Sequence, residues 1–353
     1  MKTGFITMKN MSTHVGAVCA AALLVGLTSC RKDLCYDHDS HGASVKVDVT
    51  ATWEQEWERD HGTGWEESWS DQGWDEWMAY NDLRPEVPDG IRAVLYTPSG
   101  TRDERNLPAE GGRLAMAEGE HTIQFYNNDT EYIVFNDDPA TGTVSVTTRT
   151  RTRVGFEEMH AGERTVSQPD VLYSSYVESY VAKPTYEADV LPVELHPLVY
   201  TYAIRFEFSH GAQYVALARG ALAGMAESVY LHNGKTGTEA ATVFFDATVC
   251  DWGSSAQVNS FGIPDFHPGE TNSSASSTRA PRNYSLQLEV RLHNGEYKTF
   301  ERDITDQIEN QPRGGVIVIS GLEITDEEGE SGGSGFDVTV DDWGERHEIE
   351  IPM

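Results

Sequence analysis

The residues best suited to a chemical reaction are Leu27-Thr28-Ser29-Cys30, near the start of the chain. An aliphatic residue, two small residues and a cysteine form the pattern of a bacterial lipobox, in which the chain is cleaved before the cysteine and lipid is attached to its thiol. We therefore predict that residues 1–29 are a lipoprotein signal peptide and that Cys30 carries fatty acyl chains such as palmitate. The alternative is an ordinary secretory signal followed by an incidental cysteine.

The residues ahead of the lipobox favour the lipoprotein interpretation. Lys2 and Lys9 precede an apolar run over residues 15–27, and this region has no acidic residue. A basic segment, an apolar segment and a small-residue cleavage site are the three parts of an export signal. The apolar run is shorter than the roughly 20 residues of a membrane span. The mature chain is thus expected to be lipid-anchored at the outer membrane or cell surface, where several acyl chains hold a protein firmly.

Two cysteines, Cys35 and Cys250, remain besides the signal peptide's Cys19 and the lipobox cysteine. Outside the cytoplasm such a pair can form a disulfide, and two isolated thiols are the alternative. Residues 30–43 are polar and predict a tether between lipid and fold. Within them Cys35, His38 and His41 are spaced like metal ligands, but no distant pair completes a four-ligand set, so we predict neither metal nor cofactor.

The chain is strongly acidic. Its 353 residues carry a formal net charge of −31, and the signal peptide holds lysines but no acids. We do not expect so acidic a chain to bind nucleic acid or anionic lipid headgroups. The hydrophobic content of 39% still permits sizeable cores. The length favours two domains, with one large all-β domain as the alternative.

Alternating apolar and polar residues predict strands along most of the chain. Val45, Val47 and Val49 alternate with polar residues, and residues 200–208 repeat the pattern more strongly. Many short strands with turns between them, and no long amphipathic helix, are typical of β-sandwiches. We predict an N-terminal sandwich domain over residues 44–185 and a C-terminal one over residues 186–353.

An acidic, tryptophan-rich segment interrupts the first domain at residues 53–80. Five of its indoles are candidate contacts for a protein partner or a glycan, because tryptophan leads interface hot spots: Trp57, Trp65, Trp69, Trp74 and Trp77. The alternative is that these indoles fold back as a lid over an open sheet face, since so many in water would make an unusual exposed patch.

Three arginines, Arg149, Arg151 and Arg153, share one face of another predicted strand. They could dock an acidic partner, but a solvated edge strand protected against aggregation is the commoner explanation. The chain has no H-E-x-x-H zinc motif. We therefore predict no catalytic residues and no enzymatic activity.

Several short motifs, which we call sequence words, occur in a fixed order along the chain. With this order the chain resembles the fimbrillin superfamily of Bacteroidota lipoproteins, in the branch near FimB-type anchor subunits. The words follow the lipidated cysteine and continue to the closing strands: Leu34-Cys35-Tyr36-Asp37-His38, Tyr126-Asn127-Asn128-Asp129-Thr130-Glu131, Gly224-Met225-Ala226, Val229-Tyr230-Leu231, Phe261-Gly262 and Asp303-Ile304-Thr305-Asp306-Gln307. The tryptophan-rich segment departs from the family pattern and is interpreted as an insertion.

The resemblance implies two tandem transthyretin-like, Greek-key β-sandwiches and a role in cell adhesion, as a structural anchor or accessory subunit of fimbriae. It also implies that other fimbrial subunits join by adding a strand to an open sheet edge. A surface lipoprotein that binds glycan or host protein through the tryptophan-rich segment is the alternative function.

Overall fold

The computed structural model describes residues 44–59, 64–138, 143–150, 162–268 and 282–330. The predicted signal peptide, Cys30, Cys35 and the tether of residues 30–43 lie outside these described residues. The fold is all-β, as the sequence predicts. Helices in the described part of the chain are short, and none of them is long and apolar enough to cross a membrane.

Seven strands form a first sheet in the order β3-β2-β5-β9-β10-β1-β4. The strands are β1 (Val45–Trp53), β2 (Gly90–Tyr96), β3 (Arg102–Pro108), β4 (Gly111–Met116), β5 (Gly119–Asn127), β9 (Tyr173–Ala182) and β10 (Asp189–Pro197). Strands β9 and β10 pair only through His196–Ser174 and Pro197–Tyr173. The sheet therefore consists of a four-stranded part, β3-β2-β5-β9, and a three-stranded part, β10-β1-β4.

The second large sheet has the order β17-β16-β12-β14-β15-β11-β18. Its strands are β11 (Tyr200–His210), β12 (Val215–Ala226), β14 (Ala240–Cys250), β15 (Gly253–Ser260), β16 (Ser285–Leu292), β17 (Tyr297–Asp303) and β18 (Gly315–Glu323). Strand β14 pairs with β15 only over residues 248–250, next to the tight turn that joins them. This sheet thus also has a four-stranded and a three-stranded part.

The two sheets repeat one connectivity. Numbered one to seven in chain order, the strands of each sheet form a four-stranded part 3-2-5-6 and a three-stranded part 4-1-7. In both sheets the first and seventh strands pair in parallel, β1 with β10 and β11 with β18. We refer to the seven strands of each sheet, together with the segments that connect them, as the first unit and the second unit.

Each unit has its own core between its two sheet parts. In the first unit Val47 of β1 and Leu195 of β10 pack with Ile91 of β2 and Phe125 of β5. In the second unit the corresponding core is larger and brings together side chains from both parts: Tyr202, Ile204, Phe206, Leu222, Phe245, Val258, Leu288, Val290, Ile317 and Ile319. The alternation seen in the sequence is realised here, since β1 buries Val45, Val47 and Val49 while Lys46 is exposed.

The chain between β5 and β9 crosses from the first unit to the second. Strands β6 (Ile133–Asp138) and β7 (Thr143–Thr148) form a small sheet with β13 (Ser228–Tyr230), in the order β13-β7-β6, and β8 (Thr165–Val166) pairs with β14. Strand β7 therefore lies between two other strands. The prediction that the arginine-bearing strand lies at a sheet edge is wrong over residues 143–148. Arg149 contacts the ring of Tyr132, with its Cζ 5.7 Å from the ring centroid; Arg151 and Arg153 lie outside the described residues.

An apolar interface joins the two units. Val94 and Tyr126 of the first unit pack with Val229 and Phe261 of the second, and Val146 of β7 lies among them. Only residues 198–199 separate β10 from β11. A division after residue 185 would separate β10 from β1, with which it pairs. The alternating pattern shows that β10 is a strand, but it does not indicate which strand is its partner.

Candidate functional site

The tryptophan-rich segment leaves the first unit after β1 and lies on the second unit. It contains helix α1 (Trp65–Ser68) and two 3-10 turns, Trp74–Glu76 and Tyr80–Leu83, before it enters β2. Its indoles pack against Ala203 of β11 and Val316 and Val318 of β18. The five predicted contact residues, Trp57, Trp65, Trp69, Trp74 and Trp77, are therefore brought together, and we call them the tryptophan layer.

Trp69 is at the centre of this layer and is only 1% exposed. Its ring centroid lies 5.0 Å from that of Trp74 and 6.0 Å from those of Trp57 and Trp77. The ring of Tyr80 completes the cluster at 5.6 Å. Most of these pairs meet edge to face, a geometry that aromatic quadrupoles favour. The cluster thus has the contacts of a packed core.

Most of the indole N–H groups of the layer have acceptors within the protein. Trp57 Nε1 donates to Thr201 O at 3.0 Å, Trp69 Nε1 to Met78 O at 2.9 Å, and Trp65 Nε1 to Gln311 Oε1 at 3.1 Å. Trp77 Nε1 is buried and has no acceptor among the described residues. Two of these bonds reach the second unit, so they attach the segment to the sheet that it covers.

In the structure the five indoles fold back over a face of the second unit's sheet, which is the alternative to an exposed binding surface. Trp57, Trp69 and Trp74 are buried, whereas Trp65 and Trp77 are half-buried. The predicted role of these residues in partner or glycan binding stays a prediction, and in this conformation Trp65 and Trp77 provide most of the accessible indole surface.

Two residues that the sequence did not single out complete the outer end of the layer. The guanidinium of Arg205 lies over the ring of Trp252, with Cζ 3.9 Å from the centroid, and 5.6 Å from the ring of Trp77. Arg205 also pairs with Glu207 at 2.7 Å. Arg205 stands on a plain alternating strand, so no local pattern distinguishes it.

Acidic residues of the tryptophan-rich segment form hydrogen bonds and ion pairs that stabilise its conformation. Glu56 accepts hydrogen bonds from Arg84 Nη1 at 2.9 Å and from the Tyr80 hydroxyl at 3.3 Å, and Arg84 Nη2 reaches Glu66 at 3.0 Å. Burial opposes ionisation of Glu56, but the hydrogen bond and charge of Arg84 outweigh it, and the pKa of Glu56 is lowered. Burial and the Glu56 charge raise the pKa of the Tyr80 hydroxyl.

The outer edge of β18 is closed by two glutamine side chains. Gln307 lies on helix α2 (Thr305–Asn310), and Gln311 follows one turn later. Val316 N donates to Gln311 Oε1 at 2.7 Å, and Gln311 Nε2 donates to Val316 O at 2.9 Å. Gln307 makes the same pair of bonds with Val318, at 3.0 and 3.3 Å. The two amides thus replace a neighbouring strand, and we call them the glutamine cap.

Strands β3, β4 and β17 are the other outermost strands of the two large sheets. Strand β3 carries the ion pairs Arg102–Glu104 and Arg105–Asp103, at 2.6 and 2.5 Å. Charged side chains of this kind discourage unwanted pairing at a sheet edge. Tyr297, the first residue of β17, is 64% exposed, and Leu217, in register with it two strands away on β12, is 59% exposed, so an apolar surface extends inward from this edge.

The remaining predicted site residues lie apart from the tryptophan layer. Cys250, at the end of β14, is half-buried and forms no disulfide with another described residue. Because Cys35 is outside the described residues, the disulfide stays a prediction. No group of three or more metal-ligating side chains occurs among the described residues. Asp303, in the last sequence word, accepts a hydrogen bond from Thr305 N at 2.9 Å and so caps the start of α2.

The chain is similar to known proteins over much of its length. A family model described as a domain of unknown function (DUF5119) matches residues 77–246. A protein named "putative fimbrium anchoring subunit Fim4B" from Bacteroides ovatus is 22% identical over 238 residues, which are 67% of this chain and 61% of that protein. The chain thus matches less than two thirds of this relative's length.

Among solved structures, a "putative adhesin" from Bacteroides ovatus matches with a TM-score of 0.56 and 18% identity, over 82% of this chain and 95% of that one. The fimbrial anchor protein Mfa2 from Porphyromonas gingivalis matches with a TM-score of 0.42 and 9% identity, over 78% and 90% of the two chains. The likeness in fold rests on the first of these structures. The resemblance to fimbrial anchoring proteins that the sequence words predict is confirmed.

Proposed function

We propose that this protein is a lipid-anchored, non-catalytic subunit of a surface fimbria, acting as an anchor or accessory subunit in cell adhesion. The observation that carries the proposal is the similarity to the fimbrium anchoring subunit named above, which extends over two thirds of this chain. In this proposal Cys30 holds the membrane end at the outer membrane, and the two units face the other subunits.

We infer further that each unit is a transthyretin-like sandwich. The repeated arrangement of a 3-2-5-6 part facing a 4-1-7 part supports this assignment. The short link at residues 198–199 supports a boundary there instead of after residue 185. Strands β6, β7 and β8 then form an arm of the first unit, and this arm pairs with β13 and β14 of the second unit.

An anchor must carry load between the membrane and the filament, and the junction of the units is suited to this. Backbone pairing of β7 with β13 and of β8 with β14 joins the units. The apolar interface and the tryptophan layer add buried contacts on two further surfaces. Three separate connections favour one stiff body over two domains on a flexible linker.

We propose that an incoming subunit adds its strand at β17. The glutamine cap closes β18, whereas β17 pairs only with β16 and exposes the ring of Tyr297 among its charged residues. The exposed side chains of Tyr297 on β17 and Leu217 on β12 offer an apolar surface to the partner's side chains. Main-chain bonds would then give affinity and these side chains specificity.

The test is a pull-down of the tagged protein from native membranes, followed by mass spectrometry. We expect other fimbrial subunits in a stable ladder, and Tyr297→Asp should remove them. Val190→Asp is the matched control, because Val190 is 58% exposed on β10 of the other unit. Recovery of the protein alone would contradict the fimbrial role, whereas an unchanged ladder with Tyr297→Asp would contradict only the choice of β17.

The alternative function, binding of glycan or host protein through the tryptophan layer, requires accessible indoles. Trp65 and Trp77 would have to provide them. Glycan-array binding that is lost in Trp65→Ala with Trp77→Ala, while the fold persists, would favour this alternative.

A further inference from the structure

The loop between β9 and β10, residues 183–188, lies beside the point where the described chain enters the fold. Ser44, the first described residue, and Tyr186 of this loop line the same surface cavity, which has a volume of about 470 Å³. Strand β10, which follows the loop, runs parallel to β1, which starts at Val45. A chain that comes from Cys30 therefore reaches the first unit next to this loop, which we call the β9–β10 loop.

Tyr186 projects from the β9–β10 loop into solvent. Its exposed fraction of 105% is the highest among the large hydrophobic residues of the described chain. The loop is shaped locally, because the ring of Pro184 fixes φ and the Thr185 hydroxyl donates to Glu187 O at 2.5 Å, across Tyr186. Val181, near the end of β9, adds a second apolar side chain that is 51% exposed. The loop thus presents an aromatic ring at the surface of the first unit.

The proposed lipid anchor would keep this loop near the membrane. Residues 30–43 connect Cys30 to Ser44, and a flexible tether of this length spans about 20 Å on average. The opposite end of the first unit is further away, since the nine residues of β5 alone extend over about 27 Å. The surface around Ser44 is therefore the part of the first unit that the tether brings closest to the lipid.

The side chains at this surface suit the headgroup region of a bilayer. Tyrosine is enriched at membrane–water interfaces, because its ring is apolar and its hydroxyl is polar. The described lining of the cavity contains Lys46 and Arg113 and no acidic residue, although Asp48 pairs with Arg113 at 2.9 Å. Glu187, next to Tyr186, is exposed. Charges of both signs are thus present, and we expect contact with lipid to depend on the tyrosine ring more than on charge.

We infer that the β9–β10 loop rests on the phospholipid surface, with the ring of Tyr186 inserted among the headgroups. A flexible tether fixes the position of a protein on a membrane but leaves its orientation free. A second contact at the loop restricts the tilt of the two units relative to the bilayer. This inference rests on the proposed function, because the lipid on Cys30 determines which end of the molecule faces the membrane.

The test measures the depth of a nitroxide spin label on the mature, lipidated chain in vesicles of phosphatidylcholine and phosphatidylethanolamine. Glu187→Cys carries the label in a Cys35→Ser, Cys250→Ser background. Collisions of the label with oxygen, which concentrates in lipid, are compared with collisions with a water-soluble nickel chelate. Glu131→Cys is the matched control, because Glu131 is exposed beyond the opposite end of β5. We expect oxygen to dominate at residue 187 and the nickel chelate to dominate at residue 131.

Tyr186→Asp should abolish the oxygen preference at residue 187, because a carboxylate resists transfer out of water. Tyr132→Asp is the control and should leave this preference unchanged, since Tyr132 is 40% exposed next to Glu131. An oxygen preference that persists in Tyr186→Asp would refute the role of the ring.

Flotation of the vesicles distinguishes the two ways in which the inference can fail. A chain that does not float with the vesicles contradicts the lipid anchor of the proposed function, and this inference with it. A chain that floats while the label at residue 187 contacts mainly the nickel chelate refutes the lipid contact alone. The same holds if the label is shielded from both reagents, because another protein or a second copy then covers the loop.

Discussion

At the scale of single residues, Cys30 has the most specific predicted chemistry. Its place after Leu27-Thr28-Ser29, behind a basic and then an apolar segment, predicts acylation from a local pattern alone. In the proposed function this one thiol determines where the whole molecule is held.

We predict that Cys30→Ala will release the protein from membranes, because the chain has no other predicted anchor. The measurement is fractionation of cells followed by detection of the tagged protein in the membrane and soluble fractions. Cys250→Ala is the control and should stay with the membrane, since Cys250 is a half-buried thiol on β14. Retention of the Cys30→Ala chain in membranes would refute acylation as the anchor.

Trp69 shows how much a single indole contributes to the fold. It is 1% exposed and touches the rings of four other aromatic residues. We expect Trp69→Ala to lower the free energy of unfolding by about 3–5 kcal/mol, the usual cost of truncating a buried aromatic side chain. Chemical denaturation followed by circular dichroism would measure it.

Trp65→Ala is the comparison for Trp69→Ala and should cost less, because Trp65 is half-buried. Equal, small losses in the two variants would mean that the tryptophan layer is detached from the second unit in solution. That outcome would restore the exposed, partner-binding interpretation of the segment.

At the scale of elements, the glutamine cap shows how side chains can end a sheet. An outermost strand with free N–H and C=O groups invites pairing with another chain. Here Gln307 and Gln311 satisfy the groups of Val316 and Val318, and Trp65 donates to the same Gln311 oxygen. The cap therefore links the tryptophan layer to the closure of the edge.

Replacing both glutamines by alanine should lower the free energy of unfolding by about 1 kcal/mol or more for each, because buried backbone groups of β18 lose their partners. It should also promote self-association through the exposed edge. Sedimentation velocity and chemical denaturation would measure the two effects. Gln72→Ala is the control at an exposed turn; a double variant that is as stable and as monomeric as this control would show that the cap is dispensable.

Helix α3 (Asp326–Glu330) is attached to the second unit by polar contacts of Asp326 with His210 and of Glu328 with Lys298. Glu328 contacts Lys298 Nζ at 2.6 and 2.7 Å and accepts a hydrogen bond from Thr325 N at 2.8 Å. The Lys298 hydrogen bond is the largest cause that lowers the pKa of Glu328 to about 2. Since the folded pKa lies below the unfolded value, this contact stabilises the folded state above the unfolded pKa of 4.5.

The attachment of α3 should accordingly weaken as the pH falls from about 4.5 towards 2. A nuclear magnetic resonance titration of the Glu328 carboxyl carbon would give the midpoint directly. In Lys298→Met we expect the midpoint to rise towards 4.5. A midpoint near 4.5 in the unmodified protein would contradict the ion pair.

At the scale of the whole molecule, the two units are coupled by more than the short link between them. The arm formed by β6, β7 and β8 pairs with strands of the second unit, while the tryptophan-rich segment of the first unit covers β11 and β18. Each unit thus depends on side chains from the other.

This coupling predicts a single cooperative unfolding transition in calorimetry. Phe261, 2% exposed at the apolar interface, is the residue to change, and Phe261→Ala should split the transition in two or broaden it. Phe245→Ala is the control within the second unit's core and should lower the transition temperature without splitting it. Two separate transitions in the unmodified protein would show that the units are independent.

The sequence by itself determined the features that depend on neighbours along the chain. The lipobox is a contiguous pattern, and the strands follow from alternation, since successive side chains in a strand point to opposite faces. Alternation alone therefore assigns Val45, Val47 and Val49 to a buried face of β1, and the all-β class follows from many such segments.

The tertiary structure alone decided which segments meet. Alternation does not indicate that β10 pairs in parallel with β1, that β7 pairs with β13, or that Trp69 is buried against the other unit. The cavity at the junction of the two units is lined by Arg59, His232 and Arg313, which are far apart in the chain. Long-range pairing depends on the matching of whole surfaces and edges, and a local pattern contains no information about the partner surface.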